Sequence, residues 1–166
     1  MKISILLPYK ENFTKQYAGA VSIFVNDVTK ISKFKKNIKI YGNTLYKDYL
    51  SKNYINIPLQ KNFLQSSSKS YVKNFISSIK NKKIDIIEIH NRPEYVKYIK
   101  KYFQNTKVIL TLHNDPLTLR GSEKLNEREN LLKDCSKIVF ISRWIQNRFF
   151  KSLVNSNYLN TEIIYH

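Results

Sequence analysis

The chain has 166 residues, which suits one ordinary globular domain or part of a larger protein and is too short for two complete domains. Hydrophobic residues make up 42% and aromatics 13%, enough for a sizeable core, so a disordered or collagen-like chain is excluded. Lys and Arg number 29 against 12 Asp and Glu, and the formal net charge of +17 points to an anionic partner: nucleic acid, an acidic membrane surface or a phosphorylated substrate.

Short apolar runs alternate with amphipathic stretches along the whole sequence. Ile3–Pro8 reads as a buried strand. Ala18–Phe34 reads as a helix whose apolar positions Val21, Phe24, Val25, Val28 and Ile31 have helical spacing. Asn37–Tyr41 is a second strand, ended by Gly42-Asn43, and Asn53–Pro58 a short third one. Ser67–Lys80 is a helix with Tyr71, Phe75, Ile76 and Ile79 on one face. The strongly apolar Ile84–His90 precedes a helix over Pro93–Phe103, with Pro93 suited to its first turn. Lys107–His113 is the next strand, and irregular Asn114–Gly121 leads to a charged helix over Glu123–Asp134. Lys137–Ile141 is a strand, Ser142 a good N-cap for a helix over Arg143–Leu153, and Glu162–Tyr165 a last apolar run. Strands that alternate with helices and are almost continuously hydrophobic predict a Rossmann-like α/β fold: one mostly parallel sheet, helices on both faces, and a single domain over 1–166.

The charge has a second explanation. It comes from 24 Lys and only 5 Arg, and Lys, Asn, Ile, Tyr and Phe together make half the chain. All five are encoded by A/T-rich codons, so base composition raises them together. Placement is the better guide. Lys33, Lys35, Lys36 and Lys39 cluster after one helix, and Lys69, Lys73, Lys80, Lys82 and Lys83 along and after another. Such runs are ordinarily a solvated face and can also hold a chain on anionic lipid. A non-catalytic α/β module for nucleic acid or anionic membrane is therefore the alternative class. Nucleic acid is the weaker partner, since Phe24, Tyr71 and Phe75 fall at core spacing and no helix-turn-helix, zinc-finger, RRM or KH signature is present. The one cysteine, Cys135, has no intramolecular partner and fits a reducing cytoplasm. No segment reaches the roughly 20 apolar residues of a membrane span, so a cytoplasmic protein is expected, soluble or peripheral on the inner face of the plasma membrane.

In an open parallel α/β sheet, ligands bind at the carboxyl ends of the strands. His90-Asn91-Arg92 follows one predicted strand and His113-Asn114-Asp115 another, which brings both internal histidines to that edge. Either histidine alone is as consistent with a solvated strand end as with a ligand contact; the repeated His-Asn pair favours the functional reading. The loop Tyr17-Ala18-Gly19-Ala20 opens a helix, where Gly19 lets backbone approach a phosphate or simply makes a tight turn. Ser142-Arg143 opens another helix at the same edge, as an anion contact or an ordinary cap with a solvated Arg. Glu88 in an apolar strand needs a partner, and Arg92, Arg120 and Arg128 are candidates. There is no CxxC or HExxH, so no metal is expected. GxSxG, GxGxxG and Walker A patterns are also missing, and Asp134 beside Cys135 works against thiolate formation.

Gly19 after the first strand, Asp85-Ile86-Ile87-Glu88-Ile89-His90-Asn91-Arg92-Pro93, Leu110-Thr111-Leu112-His113-Asn114-Asp115-Pro116 and Ile138-Val139-Phe140-Ile141-Ser142 occur in an order that resembles the N-terminal domain of family 4 glycosyltransferases with the GT-B fold. The resemblance runs along nearly the whole chain. It implies the acceptor-side half of an enzyme that transfers a sugar from a nucleotide-sugar donor to a glycan or lipid-linked acceptor in cell-envelope polysaccharide or lipopolysaccharide synthesis. It implies that His113 is the catalytic-site histidine contacting acceptor or transferred sugar. His90, Asn91, Arg92, Asn114 and Asp115 would then lie on the acceptor side, and Gly19, Ser142 and Arg143 toward the donor. The family often has two adjacent glycines where this chain has Ala18-Gly19. The Glu-x7-Glu motif of the family's donor domain is absent, so a separate C-terminal donor domain is the implied partner and the isolated chain is expected to be incomplete. Ile163-Ile164-Tyr165-His166 resembles the strand before the family's interdomain linker.

Overall fold

Seven strands and five helices form from the apolar runs and amphipathic stretches described above, in a computed structural model that describes residues 1–58, 66–154 and 158–165. In chain order they are β1 (Ile3–Leu6), α1 (Ala20–Ile31), β2 (Ile38–Gly42), β3 (Tyr54–Asn56), α2 (Ser67–Ile79), β4 (Ile86–His90), α3 (Glu94–Tyr102), β5 (Lys107–Leu112), α4 (Leu125–Asp134), β6 (Lys137–Phe140), α5 (Arg143–Phe150) and β7 (Thr161–Ile163). Short 3-10 turns occupy Lys35–Asn37 and Pro116–Thr118. The strand order is β3-β2-β1-β4-β5-β6-β7. The registers pair β1 with β2, β2 with β3, β5 with β6 and β6 with β7, all parallel. This is a Rossmann-like α/β fold, as the alternation of elements predicts. His166, at the end of the last run, lies outside the described residues.

The chain forms two compact units, Met1–Ile87 and Glu88–His166, with the boundary inside β4. In the first, Ile5, Leu7, Phe13, Ile38, Ile40 and Tyr54 pack with Val21 and Val25 of α1. Phe13 stacks on Tyr54 with ring centroids 4.9 Å apart, and such pairs add about 1 kcal/mol beyond area burial. From α2, Phe75 meets Tyr41 edge-on, and the buried Tyr71 hydroxyl donates to the Leu7 carbonyl at 3.0 Å.

The buried face of α1 differs from the one expected. Val21, Ser22, Val25, Asn26 and Thr29 are buried, whereas Val28 is 46% and Ile31 87% exposed. At about 100° per residue, the helix is turned roughly a quarter of a revolution from its apolar stripe. Small polar side chains seat the helix on the sheet at this rotation. The Ser22 and Thr29 hydroxyls and the Asn26 amide oxygen are buried there without hydrogen-bond partners. The helix start sets the rotation: the Glu11 side chain accepts a hydrogen bond from Ser22 N at 3.2 Å.

In the second unit, Ile89 on β4, Val108, Leu110 and Leu112 on β5 and Ile138 and Phe140 on β6 are fully buried. Tyr95, Val96 and Ile99 of α3, Leu131 and Leu132 of α4 and Ile145 and Phe149 of α5 complete its core. Arg128 of α4 is buried to 3% exposure and donates to the carbonyls of Ser122 (3.1 Å), Glu123 (2.9 Å) and Lys151 (2.8 Å). It thus fastens both ends of this segment with charge-assisted bonds.

Candidate functional site

Alternation along β4 sends Ile87 and Ile89 to one face and Glu88 and His90 to the other. Glu88 therefore meets His90 two residues along the same strand: Oε1 lies 3.1 Å from His90 Nε2. Thr111 of β5 donates its hydroxyl to the same carboxylate oxygen at 3.1 Å. On its other side His90 Nδ1 is 2.9 Å from Nε2 of His113, just beyond the end of β5. Glu88, His90 and His113 thus form a continuous chain of ionisable groups. Glu88 is 24% and His90 1% exposed at the side chain, and His113 is half-buried at the carboxyl edge of β5.

The protonation pattern of this chain follows from the carboxyl. Burial works to raise the Glu88 pKa, but the charge of His90, hydrogen bonds from His90 and Thr111 and the charge of His113 outweigh it and hold the carboxyl below its usual value. An ionised Glu88 needs a proton on His90 Nε2. In the neutral ring His90 Nδ1 must then accept from His113 Nε2–H, and in a neutral His113 this tautomer makes Nδ1 an acceptor.

Asn91 holds both strand ends together. Its backbone takes φ of 51°, in the left-handed region that Asn tolerates, and its N–H donates to the Thr111 carbonyl at 2.9 Å. The side-chain oxygen accepts from His113 N at 2.8 Å and Asn114 N at 3.2 Å, and the amide donates to Asn114 Oδ1 at 3.3 Å. Arg92 donates to the Asn91 carbonyl at 2.8 Å. Asp115 caps the Pro116–Thr118 turn through Leu117 N and receives a two-pronged contact from Arg148 of α5, at 3.0 and 2.7 Å. The Arg148 hydrogen bonds outweigh desolvation and hold the Asp115 carboxyl below its usual value. Gly121, at φ of 91°, lets this loop close on α3, where a Cβ would lie 2.5 Å from Glu94 N.

Ser142 N-caps α5, accepting from Ile145 N at 3.2 Å, and Arg143 is exposed beside it, bonded to Gln146. The indole of Trp144 is 58% exposed, with the Arg148 guanidinium 5.7 Å from its ring. Gly19, in the first unit, N-caps α1. The Glu11 carboxylate covers it, and a Cβ at Gly19 would collide with Oε1. An internal anion thus occupies the helix start where a phosphate contact is expected.

The histidines, Asn91, Asn114 and Asp115 all gather around the ends of β4 and β5, as their strand-end spacing predicts. The arginine partners expected for Glu88 are otherwise engaged. Arg92 bonds the Asn91 backbone, Arg120 lies 3.9 Å from Glu94 and Arg128 holds carbonyls, while His90 and Thr111 serve Glu88 instead. The same-face spacing of Glu88 and His90 carries that signal in the sequence. Thr111, Glu11 and Arg148 escape sequence reasoning, since each acts through a contact between separate segments. Among the described residues, no group of three His, Cys, Asp or Glu is placed to hold a metal ion, and no helix is long and apolar enough to cross a membrane.

The fold is that of one Rossmann-like half of a GT-B protein. Anabaena HepE (Alr3699), solved in complex with UDP and glucose, superposes with a TM-score of 0.67 at 12% sequence identity over 99% of this chain and 44% of HepE. Its complex with UDP-glucose gives a TM-score of 0.64 at 13% identity over the same shares. The chain spans less than half the length of HepE. No protein-family model matches the sequence, and no curated protein matches it.

Proposed function

We propose that this chain is the acceptor-side, N-terminal half of a GT-B glycosyltransferase of the family 4 type. It takes part in transfer of a hexose from a nucleotide sugar to a hydroxyl of a glycan or lipid-linked acceptor, in cell-envelope polysaccharide synthesis on the cytoplasmic side. The observation that carries this reading is the Glu88–His90–His113 chain, which ends on a half-buried imidazole at the carboxyl edge of β5. HepE's complexes with UDP, glucose and UDP-glucose support a nucleotide-sugar donor.

Transfer breaks the bond between the anomeric carbon and the diphosphate and forms one to the acceptor oxygen, whose proton must leave. The acceptor's proton passes to the His113 imidazole, while His90 and ionised Glu88 orient that ring and stabilise the positive charge it gains. Asn91 and the Asp115–Arg148 pair hold the loops that orient the acceptor. Stabilisation of the departing diphosphate falls to a second half, which holds the nucleotide.

Two titrations test this. A lipid-linked oligosaccharide acceptor should shift the ring 15N resonances of His90 and His113, whereas UDP-glucose should not bind the chain alone at micromolar concentration. Micromolar UDP-glucose binding by this chain, or histidine resonances indifferent to every envelope glycan tried, overturns the acceptor-side reading.

A further inference from the structure

The strongest unassigned feature lies at the amino ends of the strands in the first unit. A cavity of about 390 Å³ is lined by Asn26, Thr29, Ser51 and Asn53 together with Lys30, Lys35, Lys36 and Lys52. A second, of about 440 Å³, includes Lys2, Lys36, Lys39, Lys82 and Lys83 around Tyr41. Lys36 lines both, and together they make a basic face on this edge. Its lysines come from the chain start, the end of α1, the Lys35–Asn37 turn, β2, the approach to β3 and the approach to β4. Codon bias scatters lysines; it does not converge them from six segments. No carboxylate lines either cavity. Asp27, paired with Lys30 at 3.3 Å, and Asp85, at the Met1 amine, are the acidic groups beside them.

We propose that this amino edge docks the chain on an anionic phospholipid bilayer. Compact ammonium groups on flexible stems suit a layer of mobile phosphate headgroups. Two exposed apolar side chains stand in sequence beside the lysines, Ile31 at 87% and Met1 at 49% exposure, and on a docked chain they would enter the interface while the lysines remain at headgroup level. Nucleic acid fits less well. The exposed aromatics Tyr17, Tyr46, Tyr102, Trp144 and Tyr165 are not among the lining residues, and Tyr41, which is, is buried, so these cavities offer no stacking platform.

The test is co-sedimentation of the whole chain with phosphatidylcholine vesicles, with and without about 30 mol% phosphatidylglycerol, at about 100 mM salt. Binding should require the anionic lipid. The triple variant K36E/K39E/K82E should bind at least about tenfold more weakly, and I31D should also weaken binding. K97E/K101E/K133E, an equal charge change on exposed lysines of the second unit, should stay within about threefold of the parent. A neutral-side-chain version, K36Q/K39Q/K82Q, repeats the measurement if charge reversal disturbs the circular dichroism spectrum. No pelleting with anionic vesicles, equal loss in the two charge-reversal triples, or a single-stranded oligonucleotide displacing the vesicles at equal concentration overturns the proposal.

Discussion

Glu88→Gln keeps the shape of the side chain and removes its charge, and it should reverse the protonation pattern of both histidines. Gln Nε2–H would donate to His90 Nε2, which places the His90 proton on Nδ1, makes His113 Nε2 the acceptor and moves the His113 proton to Nδ1. The Glu88 carboxylate receives two bonds, from His90 at 3.1 Å and Thr111 at 3.1 Å. A hydrogen bond to a charged group is worth about 1.5–3 kcal/mol against about 0.5–1.5 for a neutral one, so the variant should lose about 1–2 kcal/mol at pH 7. The sign of the pH dependence follows from the depressed carboxyl pKa. The stabilisation is complete above the ordinary value of 4.5 and is lost as pH falls through the lower folded value, so the gap between parent and variant should shrink below pH 4.5. Urea unfolding from pH 7 to pH 3 measures the gap, and long-range 1H–15N correlations of the rings report the tautomers. A variant within about 0.3 kcal/mol of the parent at pH 7, with the His113 proton still on Nε2, refutes the relay.

Asn91→Ala should cost about 2–4 kcal/mol in urea unfolding, because it removes an acceptor shared by two backbone N–H groups at a left-handed position; Asn91→Gly should cost about 1 kcal/mol less, and equal losses would deny the backbone contribution. Gly19→Ala should displace the Glu11 side chain and lose about 1 kcal/mol by thermal unfolding, but be close to neutral in a Glu11→Ala background; additive losses would contradict the contact. Burial, reinforced by Asp134, pushes the Cys135 thiol up to about 12, so a disulfide reagent at pH 8 should label the chain only after urea unfolds it, and rapid labelling of the native chain would contradict its burial.

The order of elements is legible in the sequence because parallel strands buried on both faces leave unbroken apolar runs such as Ile138-Val139-Phe140, and because the runs stop at proline, glycine or a polar residue. The position of His90 and His113 follows from those stops alone. The rotation of α1 does not, since apolar periodicity counts Val28 and Ile31 as core and cannot register that Ser22 and Thr29, small enough for close approach to the sheet, are the buried residues. The partners of Glu88 divide along the same line. His90, two residues away in one strand, is readable from alternation, whereas Thr111 depends on which strand lies alongside. Arginine is an obvious partner by charge, but Arg128 is drawn instead to three carbonyls that only the folded chain gathers.

Asn91 gives the two histidine loops a shared mechanical fate. One side chain and one backbone N–H join the end of β4 to β5 and to the two residues that follow it, so a displacement of either loop is transmitted to the other rather than absorbed between them. The 2.9 Å separation of His90 and His113 is then insulated from loop breathing, and a ligand that shifts one ring must carry both. Variation at these strand ends is constrained in the same way: a change in length of one loop has to be matched in the other if the histidine contact is to survive.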